Sequence, residues 1–256
     1  MTSPLTAAKK RLRIMVKQRL SAVSPESITA QSRNIFESLK TFEPYARARR
    51  ISIYLSMPSG EVQTDAIVRH ALASGKQVFV PYLHKSPPDP LNALKTADRV
   101  MNMVHLKDVQ DYESLERDRW GIPSIDPATV HQRERILADP DADHADHAGL
   151  DLMLMPGVAF GCDESGNFLR LGHGKGFYDH FINRYLAQRR SPGTGEIMTR
   201  FYALALTEQL LSDCPEERIP MEEHDRRIHG LVLGSGEIKQ SSGRATRHWD
   251  VTRGSS

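Results

Sequence analysis

Gly172, Gly174 and Gly176 alternate with His173 and Lys175 inside the run RLGHGKGFYD, Arg170 to Asp179. Glycines spaced in this way let successive backbone N–H groups turn toward one anion with no Cβ in the path, and Arg170 and Lys175 set two cations beside it. The chemistry served by that arrangement is the grip on a phosphate chain. The residues after the last glycine read as a helix with Phe177, Phe181 and Tyr185 on its apolar stripe, and its N-terminal end adds positive potential at the same point. Asp179 in the first turn of that helix serves either as a helix-stabilising charge or as a carboxylate for Mg2+. The spacing matches neither the dinucleotide fingerprint GxGxxG directly after a strand nor the Walker loop GxxxxGK followed by Ser or Thr. A bare glycine run also serves any tight turn, so the two flanking cations and the acid carry the phosphate reading.

Other residues with chemical potential lie far from this segment. Lys9, Arg13 and Lys17 recur at four-residue spacing on one helical face with no acidic neighbour, opposite the apolar stripe Leu5, Ala8, Leu12, Met15, Val16 and Leu20. Such a face is either a solvated basic stripe or a second bank of phosphate cations. Trp120 precedes Gly121-Ile122-Pro123 and taken alone reads as a core residue. His224-Asp225-Arg226-Arg227 taken alone reads as a salt-bridged turn. The Asp/His tract from Asp139 to His147 reads as a solvated acidic spacer before it reads as a metal site. Cys162 and Cys214 are the only cysteines and form no CxxC pair, which excludes a disulfide scaffold and a cysteine zinc cage and suits a reducing compartment.

The chain that must position these groups has 256 residues, 39% of them hydrophobic and 26% charged, enough for one generous core. A formal charge of +2 demands neither nucleic acid nor membrane as partner, so any basic site is local. No apolar run approaches the roughly 18 residues of a membrane helix, and MTSPLTAAKKRLRIMVKQRL lacks the apolar centre of a secretory signal. A cytoplasmic protein is expected, with a mitochondrial pool left open by that basic, acid-free leader. Ile51–Leu55, a Pro58-Ser59-Gly60 turn, a helix from Thr64 to Gly75 and the strand Gln77–Tyr82 form a β-α-β unit. Further strands are expected at Val100–Leu106, Asp151–Met155, Phe201–Leu206 and Ile228–Leu233. The expected fold is a single α/β domain over residues 1–233, a mixed, largely parallel sheet flanked by helices. Between Met155 and the glycines the chain reads as a long loop, His84–Asp98 and Ala138–Gly149 as surface excursions, and everything from Gly234 as a disordered tail.

RLGHGKGFYD resembles the RLGxGxGYYD signature of the 5-formyltetrahydrofolate cyclo-ligase family. The resemblance extends to Lys9–Arg13 as the KxxxR element, ISIYLSMPSGEVQT, Trp120–Pro123, DLMLMPGVAF, Tyr202–Leu206 and Pro220–Asp225, in the family's order from Ala8 to about Leu233. It implies conversion of 5-formyltetrahydrofolate and ATP to 5,10-methenyltetrahydrofolate, ADP and phosphate with Mg2+, by a monomer that binds no nucleic acid and no membrane. It assigns Lys9, Lys10, Arg11, Leu12, Arg13 and the loop Arg170, Leu171, Gly172, His173, Gly174, Lys175, Gly176, Phe177, Tyr178 to ATP. Lys175 and Arg170 steady the transferred phosphoryl group, and no protein nucleophile is required. Met57, Glu61, Trp120, His173 and Tyr178 fall to the folate, with Gln63 as the alternative position for the acid, and Asp179 and Asp225 to magnesium. Two departures stand out: His173 replaces an arginine of many members, and Phe177 replaces the first tyrosine of the pair. The rival reading is an inactive folate- or RNA-binding protein on the same scaffold; a sugar-phosphate isomerase, working without ATP, is a further one.

Overall fold

Proline at the first helical position after a serine starts two helices in succession. Ser3 Oγ accepts from Thr6 N–H and Ser24 Oγ from Ser27 N–H, each at 3.2 Å. The computed structural model describes residues 3–85, 99–137, 149–189, 199–223 and 225–241. The helices are α1 Pro4–Ser21, α2 Pro25–Thr41, α3 Glu43–Arg47, α4 Asp65–Ala73, α5 Val109–Glu113 and α6 Phe177–Arg189. The strands are β1 Arg50–Ile53, β2 Gln77–Lys85, β3 Arg99–Leu106, β4 Glu116–Arg117, β5 Pro123–Ser124, β6 Arg135–Ile136, β7 Leu152–Met155, β8 Ala159–Cys162, β9 Phe168–Leu171, β10 Arg200–Ala205, β11 Arg227–Ile228, β12 Gly230–Leu233 and β13 Ile238–Gln240.

The main sheet runs β13-β12-β10-β7-β1-β2-β3-β6. Its five central strands, β12 to β2, are parallel, and β13, β3 and β6 are antiparallel at the flanks. The mixed, largely parallel sheet is therefore as expected. Period-two alternation divides its strands between two apolar layers. Leu152, Leu154, Tyr202 and Leu204 enter the layer shared with α2, α3 and α4. Met153, Met155, Phe201 and Ala203 enter the layer shared with Phe181, Ile182 and Tyr185 of α6. Complete burial of each large side chain stabilises by about 1.5–3 kcal/mol.

Three expectations are corrected. The stretch after β7 is a hairpin, β8–β9, with Asp163 Oδ1 accepting from Ser165 N–H and Asn167 N–H and Gly166 at φ +75. It forms a second, antiparallel sheet β11-β9-β8. Ile228–Leu233 is not one strand, because the chain changes sheets at His229, which bonds both ways to Phe201: His229 N–H to its carbonyl at 2.8 Å and Phe201 N–H to His229 Nδ1 at 3.0 Å. The chain beyond Gly234 is ordered through Ser241: Gly236 turns at φ +89, and β13 pairs Val232 with Ile238. Polar composition hid a strand that needs one apolar face alone. β2 also runs on through His84 and Lys85; the other residues of the excursions at 84–98 and 138–149, the Asp/His tract and the chain after Ser241 lie outside the described residues, apart from Gly149.

Candidate active site

Leu12, Met15, Val16 and Leu20 of α1 pack on Val158 and on Ala159, Leu169 and Leu171 of the small sheet. This lays α1 across the end of β9, where the glycines begin. Arg13, one residue on from buried Leu12, donates from Nε to the carbonyl of Gly172 at 2.8 Å. A Cβ on Gly174, which turns at φ +95, would lie 3.3 Å from the Arg13 guanidinium carbon. Gly176 at φ +68 then delivers the chain into α6. Two segments 159 residues apart thus form one basic cradle. Lys175 is exposed and makes no ion pair among the described residues. Lys10 and Arg11 are exposed, and Leu12 is buried against Leu171 at the start of the loop.

Lys9 corrects the expectation of an unneutralised basic face. Its Nζ donates to Glu222 Oε2 at 2.7 Å and Asp225 Oδ2 at 2.5 Å, and the residue is 7% exposed. Burial opposes its charge, and hydrogen bonds and attraction from the two carboxylates more than offset this, so the ammonium pKa rises. The partners lie more than 200 residues away, beyond anything helical spacing reveals. Asp225 Oδ2 also accepts from Glu222 N–H at 2.8 Å, closing the turn that holds both acids.

Arg170 of β9 is buried and donates from Nη2 to Asp179 Oδ2 at 2.8 Å, with its guanidinium 5.3 Å from the Tyr178 ring centre. Its Nε is buried with no partner. Asp179 Oδ1 accepts from Arg226 N–H at 3.3 Å, which brings Asp179 beside the turn that carries Asp225. His173 lies at the open tip of the loop. Desolvation, followed by the charges of Arg170 and Arg13, lowers its pKa, so it is neutral at pH 7 and supplies no permanent cation.

Across from the loop, the chain leaving β1 turns back on itself. Met57 N–H donates to Glu61 Oε1 at 2.6 Å, and Gln63 Nε2 donates to the carbonyls of Met57 and Glu61 at 3.0 and 2.9 Å. Gln63 therefore braces the turn, and the carboxylate is Glu61. It is 8% exposed, and burial pushes its pKa up to about 7 against a partial opposing effect of the Met57 bond. Burial also raises the phenols of Tyr54 and Tyr178, with Glu61 adding its charge to both; the acid turn and the glycine loop are electrostatic neighbours.

Trp120 belongs to no core: it is 51% exposed on the turn joining β4 and β5. Gly121, at φ +78, presses that turn on Pro58, where an added Cβ would lie 2.7 Å from Cγ. Sequence reasoning missed Glu222 as a partner of Lys9 and Tyr54 as a neighbour of Glu61. The acid cluster Glu222-Glu223 beside Asp225 was the available signal for the first.

Mg2+ carried by a nucleotide takes one or two protein carboxylates and completes its shell with phosphate oxygens and water. Asp179 and Asp225 are carboxylates of that kind, Asp179 paired with Arg170 and Asp225 with Lys9 in this structure. Among the described residues no three His, Cys, Asp or Glu groups form a self-sufficient cage.

Sheet, cradle and acid turn together define an α/β protein that can hold a phosphate chain beside a second, hydrogen-bonding ligand. A profile of the 5-formyltetrahydrofolate cyclo-ligase family matches residues 5–234, and the chain belongs to that family of enzymes. It is 33% identical over 229 residues to the mouse 5-formyltetrahydrofolate cyclo-ligase, covering 89% of this chain and 94% of the relative. A probable 5-formyltetrahydrofolate cyclo-ligase of Caenorhabditis elegans is 31% identical over 230 residues, covering 90% and 94%. The NMR structure of the Aquifex aeolicus 5,10-methenyltetrahydrofolate synthetase shares the fold, with TM-score 0.58 and 20% identity over 91% of this chain and 92% of that one.

Proposed function

We propose that the protein converts 5-formyltetrahydrofolate and ATP to 5,10-methenyltetrahydrofolate, ADP and phosphate. The observation that supports this reading is the Arg13–Gly172 contact on one side and the buried Glu61 turn on the other, with the charge of Glu61 felt at Tyr178 just after the glycine loop. A formamide oxygen is a poor leaving group. Transfer of the γ-phosphoryl group to it makes a good one; N10 then attacks the formyl carbon, the ring closes, and the oxygen departs as phosphate. The protein's share is positioning and charge, not a covalent bond. The backbone of residues 172–176 with Arg13, Lys175 and Arg170 holds the phosphates. Lys9 adds its charge from behind, at present shared with Glu222 and Asp225. Glu61 accepts hydrogen bonds from the pterin's amino and ring N–H groups, and Met57, Tyr178 and Trp120 border the same ligand. Mg2+, held by Asp179 and Asp225, would neutralise charge on the phosphates. We place this activity in a cytoplasmic monomer; among the described residues no helix is long and apolar enough to cross a membrane. The test is an absorbance assay for methenyltetrahydrofolate with ATP, Mg2+ or folate omitted in turn. Product only in the complete mixture supports the proposal, whereas binding of folate without turnover favours an inactive binding protein.

The Glu61 carboxyl gives a pH signature. Its folded pKa, about 7, lies above its ordinary value of 4.5, so the folded protein binds the extra proton and stability falls as pH rises from about 4.5 to about 7. Glu61→Gln keeps an acceptor for Met57 N–H and removes the titration. Unfolding in urea across that window is expected to show a difference between the two proteins changing by roughly 3 kcal/mol. A parallel pair of curves would refute the assignment. Folate affinity is expected to climb with pH toward 7 in the wild type and to stay low and flat in Glu61→Gln.

A further inference from the structure

A turn that exposes a large aromatic ring and yet fixes nearly all of its own polar groups is built for display. Trp120 N–H and Ile122 N–H both donate to Asp118 Oδ1, at 2.8 and 3.0 Å. Asp118 N–H donates to the Ile122 carbonyl and Gly121 N–H to the Asp118 carbonyl, each at 2.9 Å. Arg117 Nη1 donates to the Gly121 carbonyl at 2.6 Å. Gly121 against Pro58 then locks the whole turn to the Met57–Glu61 segment. Over the displayed ring lies Arg119, its guanidinium carbon 3.9 Å from the Trp120 ring centre. A guanidinium stacked in this way keeps its N–H donors around the rim, aimed outward for a carboxylate. Among the described residues Arg119 makes no ion pair that would occupy them.

We infer that the Arg119–Trp120 pair receives the end of the substrate opposite the pterin, the aminobenzoyl ring against the indole and the glutamate carboxylates on Arg119. This rests on the folate reading above. A folate whose pterin meets Glu61 must send its other half away from the buried turn, and that half is an aromatic amide ending in two carboxylates, with more in glutamate-extended forms. An exposed arginine stacked on an exposed tryptophan next to Pro58 matches this sequence of groups. Asp118, the nearest acid in the turn, is occupied by two backbone N–H groups and faces the turn's interior.

The probes are 5-formyltetrahydrofolate and the same compound lacking its glutamate, titrated calorimetrically into the full-length protein, Arg119→Ala, Arg119→Lys and Trp120→Ala. Wild type is expected to bind the glutamate-bearing compound roughly tenfold more tightly, the worth of one charge-assisted pair. Arg119→Ala is expected to abolish that preference without changing affinity for the truncated compound; Arg119→Lys should restore part of it. Trp120→Ala should weaken both compounds alike. A preference that survives Arg119→Ala, or equal binding of both compounds by the wild type, overturns the inference while leaving the folate reading standing. A wild type that binds neither compound overturns the folate reading and the inference together.

Discussion

Lys175→Ala is expected to lower the ATP-dependent rate by roughly 100-fold or more, the effect typical of removing one donor aimed at developing charge in a closed site. The reason lies in how the other cations are committed. Lys9 is bound to Glu222 and Asp225, and Arg170 to Asp179, whereas Lys175 stands exposed between Gly174 and Gly176, on a loop whose backbone turns around it. Its charge is available to a triphosphate without breaking an existing pair. The lost interaction should therefore appear in ATP kinetics, as a fall in kcat and a rise in KM for ATP, with folate affinity changed less than threefold. Lys175→Arg is expected to recover part of the rate. Wild-type ATP kinetics in Lys175→Ala would remove this side chain from the mechanism.

The second large effect is on stability. Asp179→Ala strands the Arg170 guanidinium, whose side chain is 3% exposed, and removing one member of a buried pair costs about 3–5 kcal/mol. The chain should denature at correspondingly lower urea. Replacing both residues, Arg170→Met with Asp179→Leu, should recover most of that loss, because the desolvation of both charges disappears together. A double variant as unstable as the sum of the single changes would show that the pair is not coupled. Both variants are expected to be inactive, so urea denaturation separates the fold's need for Asp179 from the reaction's.

Much of this frame is written locally in the chain. The strand at Asp151–Met155 and the β-α-β unit depend on residues within a turn or strand of one another, so pattern finds them. The glycine turn leading into α6 is local in the same way. What failed was long-range or depended on context. The Asp163–Gly166 turn separates two short apolar runs, each brief enough to pass for loop. His229 looks like part of one strand until Phe201 claims its backbone and ring. The partners of Lys9 come from the other end of the chain, and no spacing rule reaches them. Trp120 misleads in the opposite direction, since its type suggests a core and only the braced turn keeps it outside.

The clasp between Lys9 and the Glu222–Asp225 turn also bears on synthesis. During synthesis α1 can find neither its salt-bridge acids nor its apolar seat on Ala159 and Leu171 until those later segments have emerged. Until then Leu12 and Val16 stay open to water or to a chaperone, and contacts of such sequence separation slow folding. A chain interrupted before residue 222 would hold its glycine loop and still lack the lock across α1.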